Sequence, residues 1–553
     1  MPASFEVTGQ VVDVRGRTIT PAKLTVAGGK IESIEPVDDA PATFLLPGFI
    51  DAHVHVESSM LVPTEFARAA VTHGTVATVS DPHEIGNVLG VAGVEYMLQN
   101  ASQSPFKFYF GAPSCVPATT FETAGATITT AEVEGLLDDP RIVYLSEMMN
   151  FPGVLGGDPD CLAKIKASLD RGKPVDGHAP GLRGDDARRY VAAGMTTDHE
   201  CFTKEEAQDK LAAGCKISIR EGSAARNFDA LVSLIGEHPG MTMLCSDDKH
   251  PDELLLGHIN TLVRRAVAAG IDKFDALTAA CLTPIDHYHL KVGTLQPGDP
   301  ADFIEVDNLT DFNCSRTWIS GELVAEKGDT TLPSSPVTTA NQFEAREITA
   351  GELRLGGGPG QELSEATTLR VIEALDGQLI TNCLELPATI QEGAAISNPA
   401  TDTLKLVVVN RYHAEPKPAV AFIKNFGLQR GALASSVAHD SHNVIAVGVA
   451  DDDIATAINL VMQNTGGLSA ACAEQNVAQA LPLPVAGLMA TGTCAEVGAA
   501  YGKLDKLVKA WGSPLRAPYM TLSFMALLVI PSLKLSDLGL FDGGRFEFTG
   551  AVN

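Results

Sequence analysis

The sequence lacks the features that mark disulfide scaffolds, zinc ribbons, membrane spans and secretion signals. Its 10 cysteines form no CxxC pair, which argues against a zinc ribbon or a disulfide framework and favours reduced thiols. The most apolar late stretch, residues 524–533, is too short to span a bilayer and contains Pro531. The first residues, MPASFEVTGQVVDV, include neither a basic nor an apolar signal segment. We therefore expect a cytoplasmic protein.

Positive charge is also scarce. The sequence contains 40 Lys and Arg residues and 68 Asp and Glu residues, which gives a formal net charge of -28. Such a surface repels phosphate backbones and anionic lipid headgroups, so we expect no nucleic-acid partner and no membrane partner. The length of 553 residues and the hydrophobic content of 45% are typical of a globular protein with two or three domains.

Short apolar runs alternate with helical stretches in the middle of the chain, and each run ends in polar residues. Eight such strand–helix units over residues 48–290 match the size of a (β/α)8 barrel. The runs are LLPGFIDAHVH, TVATVSDPH, KFYFGAPSC, IVYLSEMMN, KPVDGHAP, MTTDHE, CKISIREG and TMLCSDD. After the eighth run, apolar residues at helical spacing from Leu255 to Val267 predict a helix that Gly270 ends.

The segments before and after the predicted barrel have a different residue pattern. Residues 1–47 and 291–327 alternate β-like runs with turn residues, and we expect them to pair into one small composite β domain. Residues 328–341 are rich in Pro, Ser and Thr and predict a linker. Residues 342–553 predict a C-terminal domain of the α/β or α+β type, with strands in LKLVVVN, AVAFIKNF and VIAVGVA. The fold class is thus α/β, a TIM-type barrel with two accessory domains.

Side chains able to bind a metal end five of the eight runs. His53 and His55 stand two apart on a strand and therefore face the same side. An isolated HxH pair is a weak signal, but the carboxyl ends of all barrel strands meet at one face. The recurrence therefore predicts one cluster of six ligands: His53, His55, Glu147, His178, His199 and Asp247.

This ligand set is suited to two divalent ions. Four imidazoles and two carboxylates give each ion a mixed nitrogen and oxygen shell that manganese, iron and zinc all accept. A bridging carboxylate would hold the ions roughly 3.5–4 Å apart and lower the pKa of a water between them from about 16 toward about 7. The resulting hydroxide is a nucleophile, and no GxSxG motif offers a serine instead. The sequence therefore predicts a two-metal hydrolase.

The motifs resemble those of the amidohydrolase superfamily. This resemblance rests on LPGFIDAHVH, His178, His199, Asp247 and GTLQPGDPADFIEVD. The last of these resembles the segment that closes the composite β domain of that superfamily. The resemblance implies that His53, His55 and Asp247 bind the more buried ion and that His178 and His199 bind the other. Many members bridge the ions with a modified Lys, and Glu147 after the fourth run departs from that pattern.

Within the superfamily, nearly the whole chain resembles the bacterial adenine deaminase family. The segments that carry this resemblance include DAHVHVESSM, DPHEIGNVLG, SEMMNFPGV, IREGSAARN, SDDKHPDEL and AHDSHNVIAVG, of which SEMMNFPGV and AHDSHN are far more restrictive than HxH. The resemblance implies hydrolytic deamination of adenine to hypoxanthine and ammonia, with manganese or iron in the site. We expect two divalent ions, manganese first and iron or zinc as alternatives, adenine as the substrate, and a homodimer.

The chemistry requires proton carriers besides the ligands. Asp247 can take the proton of the hydroxide and pass it to the departing amino group. A second acid must protonate the ring nitrogen next to C6, and the candidates are His83, Glu84 and Glu200. The alternative for His83 and Glu84 is a supporting role behind the ligands or at a helix N-terminus.

Two further groups of residues leave alternatives open. Arg220 and Ser223 after the seventh run could bind the purine edge or order a loop. A second group of residues, in the C-terminal region, could close over the barrel mouth, hold another ion, or form a polar loop at a domain interface: His439, Asp440 and His442.

Another function on the same scaffold is a cyclic amide or imide hydrolase. Such enzymes usually carry a carboxylated Lys bridge, and no Lys ends any of the eight runs. A barrel without catalytic activity is a third class, which the complete ligand set argues against.

Overall fold

The computed structural model describes residues 4–344, 346–357 and 363–552. Its first four strands are neighbours in one half of an eight-stranded sheet. In this half, β1 and β2 are antiparallel, and β1 and β4 are parallel. Alternate residues of β1 and β2 are buried, as expected for strands with one face on a core. The bounds are β1 Phe5–Asp13, β2 Thr18–Ala27, β3 Lys30–Pro36 and β4 Phe44–Pro47.

Eight parallel strands follow, one in each of the predicted runs. They are hydrogen-bonded in sequence order, and the first and last meet where Asp247 N donates to His53 O at 2.9 Å. This closure, with a parallel bridge between Val54 and Asp247, confirms the TIM-type barrel. The bounds are β5 Phe49–Val54, β6 Thr75–Ser80, β7 Lys107–Ala112, β8 Ile142–Met148, β9 Val175–Gly177, β10 Thr197–Asp198, β11 Lys216–Arg220 and β12 Thr242–Cys245.

Helices connect the barrel strands and cover them. Their bounds are α1 Pro63–Ala70, α2 His83–Leu89, α3 Val91–Ala101, α4 Thr130–Asp138, α5 Phe151–Gly156, α6 Pro159–Asp170, α7 Gly184–Ala192, α8 Lys204–Ala212, α9 Phe228–Leu231, α10 Leu234–Glu237, α11 Pro251–Leu254, α12 Ile259–Ala268, α13 Lys273–Leu277 and α14 Thr283–Tyr288. The helix expected from Leu255 begins only at Ile259. His258 has non-helical backbone torsions (φ -130°, ψ -132°) that interrupt it, so Leu255 lies in the turn after α11 and is 40% exposed.

The chain then returns to the first sheet. Strand β13 pairs with β4, so the sheet has the order β16-β15-β14-β13-β4-β1-β2-β3. Its core includes Phe303 and Trp318, whose rings stack at 4.4 Å between centroids. The bounds are β13 Phe303–Val306, β14 Cys314–Ile319, β15 Glu322–Glu326 and β16 Asp329–Thr330, so the sheet extends past residue 327.

The C-terminal region is built on a second large sheet of order β19-β18-β23-β22-β25-β24-β26-β27. The three predicted strands are β22, β23 and β25. The helix α15 packs on this sheet through Ile454, Ile458 and Val461. The bounds are β17 Leu355–Gly356, β18 Thr368–Glu373, β19 Asn382–Pro387, β20 Thr389–Gln391, β21 Ala394–Ile396, β22 Leu404–Val409, β23 Ala419–Lys424, β24 Ala432–Ser435, β25 Val444–Gly448, α15 Asp451–Gln463, β26 Gly467–Cys472, β27 Val477–Pro482, α16 Cys494–Ala510, α17 Pro518–Ser523, β28 Leu533–Ser536, β29 Gly539–Asp542 and β30 Glu547–Phe548.

The barrel and the C-terminal region share one apolar core. Val79 and Ile85 of the barrel belong to the same buried cluster as Val437 and Leu483. This packing holds the segment between β24 and β25 against the carboxyl ends of the barrel strands. Across the three described stretches, we find no helix with the length and apolar character that crossing a bilayer requires.

Candidate metal centre

The structure brings the six predicted ligands together at the carboxyl end of the barrel. Each side chain stands at or just beyond the end of its strand, and each of these residues is at most 5% exposed. Asp247 has a φ of 55°, a left-handed conformation that few residues other than glycine adopt. That conformation occurs where Asp247 closes the barrel against His53. Two of the ligands thus lie where the first and last strands of the barrel meet.

The first group of ligands is formed by the HxH pair and Asp247. The Nε2 atoms of His53 and His55 lie 3.2 Å apart. Both face the Oδ1 atom of Asp247, at 3.5 Å from His53 and 3.3 Å from His55. The Nδ1 atom of His55 is 3.2 Å from the carbonyl oxygen of Asp81, which favours a proton on Nδ1 and leaves Nε2 free to bind a metal.

The Glu147 carboxylate lies between this group and the other two histidines. Its Oε2 atom is 3.1 Å from His178 Nδ1 and 3.0 Å from His199 Nε2. Its Oε1 atom is 3.7 Å from His55 Nε2, and Oε2 is 3.7 Å from His53 Nε2. One carboxylate therefore contacts all four imidazoles.

The donor set fits a divalent metal centre. Burial alone would raise the pKa of Glu147, but the imidazoles of His178 and His199 hold it well below its usual range. Burial would likewise raise the pKa of Asp247, which Arg220 and the HxH pair hold low. Both carboxylates are thus ionised, as metal ligands must be. Buried carboxylates and imidazole nitrogens at these distances form a mixed nitrogen and oxygen shell typical of divalent ions.

Asp81 is a neighbour of this cluster that the sequence reasoning missed. Its Oδ2 atom lies 3.1 Å from His83 Nδ1, which is itself 3.5 Å from Glu147 Oε1. The ligand atoms of His55, Asp81, His83 and Glu147 all lie within 4.8 Å of one another. The signal was present, because Asp81 comes directly after the second apolar run, the position that identified the other ligands.

Asp51 is not one of the six ligands but holds two of the ligand-bearing strands together. It accepts hydrogen bonds from the backbone N of Ser246 at 2.9 Å and from His258 Nε2 at 2.8 Å. These contacts tie the HxH strand to the strand end that precedes Asp247. Carboxylates in this position orient the ligand strands of metal sites.

Arg220 and Ser223 make contacts within the protein. The Nη1 atom of Arg220 donates to Glu200 Oε1 and to Asp247 Oδ2, both at 2.5 Å, and Nη2 donates to Glu200 Oε2 at 2.8 Å. The Ser223 hydroxyl donates to Glu253 at 3.0 Å and accepts from the backbone N of His250 at 2.9 Å. Arg220 thus orients Asp247 and Glu200, and Ser223 orders a loop. A purine contact for either stays a prediction.

We expect Arg220→Met to destabilise the fold, because it leaves the buried carboxylates of Glu200 and Asp247 without their cation. Breaking one partner of a buried ion pair typically costs about 3–5 kcal/mol. The measurement is urea unfolding of the metal-free protein. Arg141→Met, which breaks exposed ion pairs with Asp139 and Glu95, is the control and should change the midpoint little. Equal midpoints for the two variants would contradict this role of Arg220.

Glu84 is a barrel residue that two histidines of the C-terminal region contact. Its Oε1 atom is 2.5 Å from His439 Nδ1, and its Oε2 atom is 2.5 Å from His442 Nε2. Burial disfavours the charged ring of His439, but Glu84 raises its pKa to about 9, whereas burial lowers the pKa of His442 to about 4. Asp440 lies 3.9 Å from His83. These C-terminal residues cover the barrel mouth.

Three other polar residues lie around this site. Asp248 accepts a hydrogen bond from Ser58 Oγ at 2.5 Å. His250 Nδ1 is 2.8 Å from Tyr501 Oη and so links the barrel to α16. His73 is half-buried and lines a cavity together with Leu255.

A (β/α)8 barrel with imidazoles and carboxylates converging at its strand ends defines a metal-dependent hydrolase. Residues 44–324 match the family model described as amidohydrolase family, and residues 378–547 match the adenine deaminase C-terminal domain. An adenine deaminase of Salinibacter ruber is 56% identical over 99% of each chain, and one of a Sulfurovum species is 53% identical over 98% of this chain and 99% of its own. The chain belongs to the adenine deaminase family.

Among solved structures, the chain is similar to a beta-aspartyl dipeptidase of Fervidobacterium islandicum. The two share 16% identity with a TM-score of 0.45, over 60% of this chain and 99% of the dipeptidase.

Proposed function

We propose that this protein deaminates adenine hydrolytically to hypoxanthine and ammonia. The observation that carries the proposal is the identity of up to 56%, over nearly the full length, with relatives named adenine deaminase. The centre supports the hydrolytic chemistry, because all six ligand-type residues converge in the fold. No Lys is among these six, whereas the alternative cyclic amide hydrolases usually bridge their ions with a modified Lys.

We propose that the centre holds two divalent ions. Manganese is the metal that we expect, and iron and zinc are the alternatives. His53, His55 and Asp247 would hold one ion, and His178 and His199 the other, with Glu147 between them. Ions bound there would supply Lewis acidity, which would make a water molecule acidic enough to give a hydroxide nucleophile near neutral pH. The position of Glu147 within 3.7 Å of all four imidazoles supports a bridging role.

Asp247 is placed to move the first proton. Arg220 donates to its Oδ2 atom, so the carboxylate is oriented with Oδ1 facing the HxH pair. We propose that Oδ1 takes the proton of the attacking hydroxide as the C6–O bond forms and delivers it to the amino group, which leaves C6 as ammonia. A carboxylate held in one orientation by a buried cation can carry out both transfers without rotating.

The second proton goes to the ring nitrogen next to C6, and three candidates remain. Both oxygens of Glu200 accept hydrogen bonds from Arg220, so both are already engaged within the protein. His83 Nε2 lies 3.4 Å from Glu84 Oε1. We propose that His83 and Glu84 act as one unit, in which the carboxylate keeps the imidazole protonated and the imidazole faces the substrate.

Adenine is expected to be converted to hypoxanthine with kcat/KM at least on the order of 10²-fold above that for adenosine. The enclosed site is the reason, because its polar groups are almost wholly buried and a ribose on the base would need additional space. Absorbance assays with both compounds and the manganese-loaded protein measure the ratio. Equal rates on the nucleoside would contradict the preference for the free base.

We further propose a homodimer and a cytoplasmic location. Enzymes of this length are often homodimers, and sedimentation of the purified protein tests the first point. The location rests on composition alone.

A further inference from the structure

The loop of residues 438–443, between β24 and β25, enters the barrel mouth from the C-terminal region. It carries His439 and His442, whose side chains each contact a different oxygen of Glu84 at 2.5 Å. Glu84 is separated from His442 by 358 residues in the sequence. All three are buried. The carboxylate that stands next to His83 is therefore held by another part of the chain.

The protonation of His442 is fixed by its other hydrogen bond. The backbone N of Ala438 donates to His442 Nδ1 at 3.2 Å, so Nδ1 is the acceptor and Nε2 carries the proton. That N–H group donates to Glu84 Oε2. Because a protonated nitrogen cannot bind a metal, this arrangement argues against a further ion at His442.

The loop is anchored independently of Glu84. Tyr412 Oη donates to the carbonyl oxygen of Ser441 at 2.6 Å, and Asn443 Nδ2 donates to Thr123 O of the barrel at 2.8 Å. Phe524 stacks on the ring of His439 at 4.9 Å between centroids. These contacts place the two imidazoles without help from the carboxylate, so the loop can orient Glu84 rather than be oriented by it.

We propose that His442 is a positioning residue for the deamination. It fixes the Glu84 carboxylate and, through the 3.4 Å contact between Glu84 Oε1 and His83 Nε2, the imidazole of His83. The C-terminal region thus completes the reaction site of the barrel. The inference rests on the proposed function, since it assumes that adenine reacts beside His83 and Glu84.

A double-mutant cycle between His442 and Glu84 tests the proposal. His442→Leu removes the N–H donor at similar volume and is expected to lower kcat for adenine by about 10–100-fold, with KM changed little. In a Glu84→Gln background the same change should cost less than about twofold, because the residue that it positions is already altered.

Two further variants separate positioning from packing. His442→Gln can place an amide N–H near the position of Nε2 and should recover most of the lost kcat. Tyr519→Phe removes a buried hydrogen bond to the carbonyl oxygen of Ser469, in the C-terminal region but outside this loop. It should lower the unfolding midpoint about as much as His442→Leu does, while kcat stays near the wild-type value. Metal content is measured for each variant and should not change.

The outcomes distinguish this inference from the proposed function. If wild-type protein deaminates adenine but the effects of His442→Leu and Glu84→Gln on kcat are additive, His442 is a packing residue and the inference is wrong. A wild type without activity on adenine would overturn both. Should His442→Leu fail to fold, His442→Asn replaces it: the short amide cannot reach Glu84, so kcat should fall relative to His442→Gln, and equal kcat values would overturn the proposal.

Discussion

Glu147→Gln is expected to lower the metal content from about two ions per chain to about one and to reduce kcat by at least on the order of 10². Glu147 is the one residue of the six that contacts all four imidazoles, through two oxygens. An amide offers one neutral oxygen in place of two charged ones, so it cannot bridge two cations. A bare carboxylate at this depth would also be costly to bury without a cation partner.

Elemental analysis alongside steady-state kinetics tests this prediction. Glu57→Gln is a suitable control, because Glu57 is also a buried carboxyl group near the ligands, and burial raises its pKa to about 7. Its replacement by an amide should leave both ions bound. A wild type that is fully active with one ion, or a Glu147→Gln variant that keeps two ions and normal turnover, would exclude the bridging role.

Asp247→Asn should reduce kcat by about 10²–10⁴ while much of the metal stays bound. The amide can still offer an oxygen to the ion, but it cannot take the proton of the attacking hydroxide. The change also removes the charge that faces Arg220 at 2.5 Å. Rate and metal content must therefore be measured on the same preparation.

Asp248→Asn is the matched control for Asp247→Asn. Asp248 is the next carboxylate along the chain, but it accepts a hydrogen bond from Ser58 and acts on His55 only through its charge, whereas Asp247 lies 3.3 Å from the His55 ring. We expect its loss to have a smaller effect on kcat. Near-wild-type activity of Asp247→Asn would remove Asp247 from the mechanism.

The barrel and its six candidate ligands could be predicted because one rule relates them to local sequence. Each parallel strand is a short apolar run, and all strand ends meet at one face. His53, Glu147 and Asp247 therefore converge although they are distant in sequence. The same rule applied to TVATVSDPH points to Asp81 as well as to His83. The domain boundaries stay a prediction.

Other features depend on tertiary contacts that no local pattern encodes. Glu84 and His442 are far apart in the sequence, and no local pattern relates them. The sequence could therefore offer closure of the barrel mouth only as one of three roles for the group that includes His442. Arg220 could equally have faced the purine, and only the positions of Glu200 and Asp247 show which charges it contacts. The start of α12 was misplaced because the backbone of His258 overrides the helical spacing of Leu255.

Ammonia release from a panel of aminopurines and cyclic amides by the manganese-loaded protein tests the central claim most directly. The proposed function predicts that adenine yields ammonia and hypoxanthine in equal amounts, and that the cyclic amides stay intact. Ring opening of a cyclic amide, or adenine that stays unchanged while the metal centre is fully loaded, would contradict it.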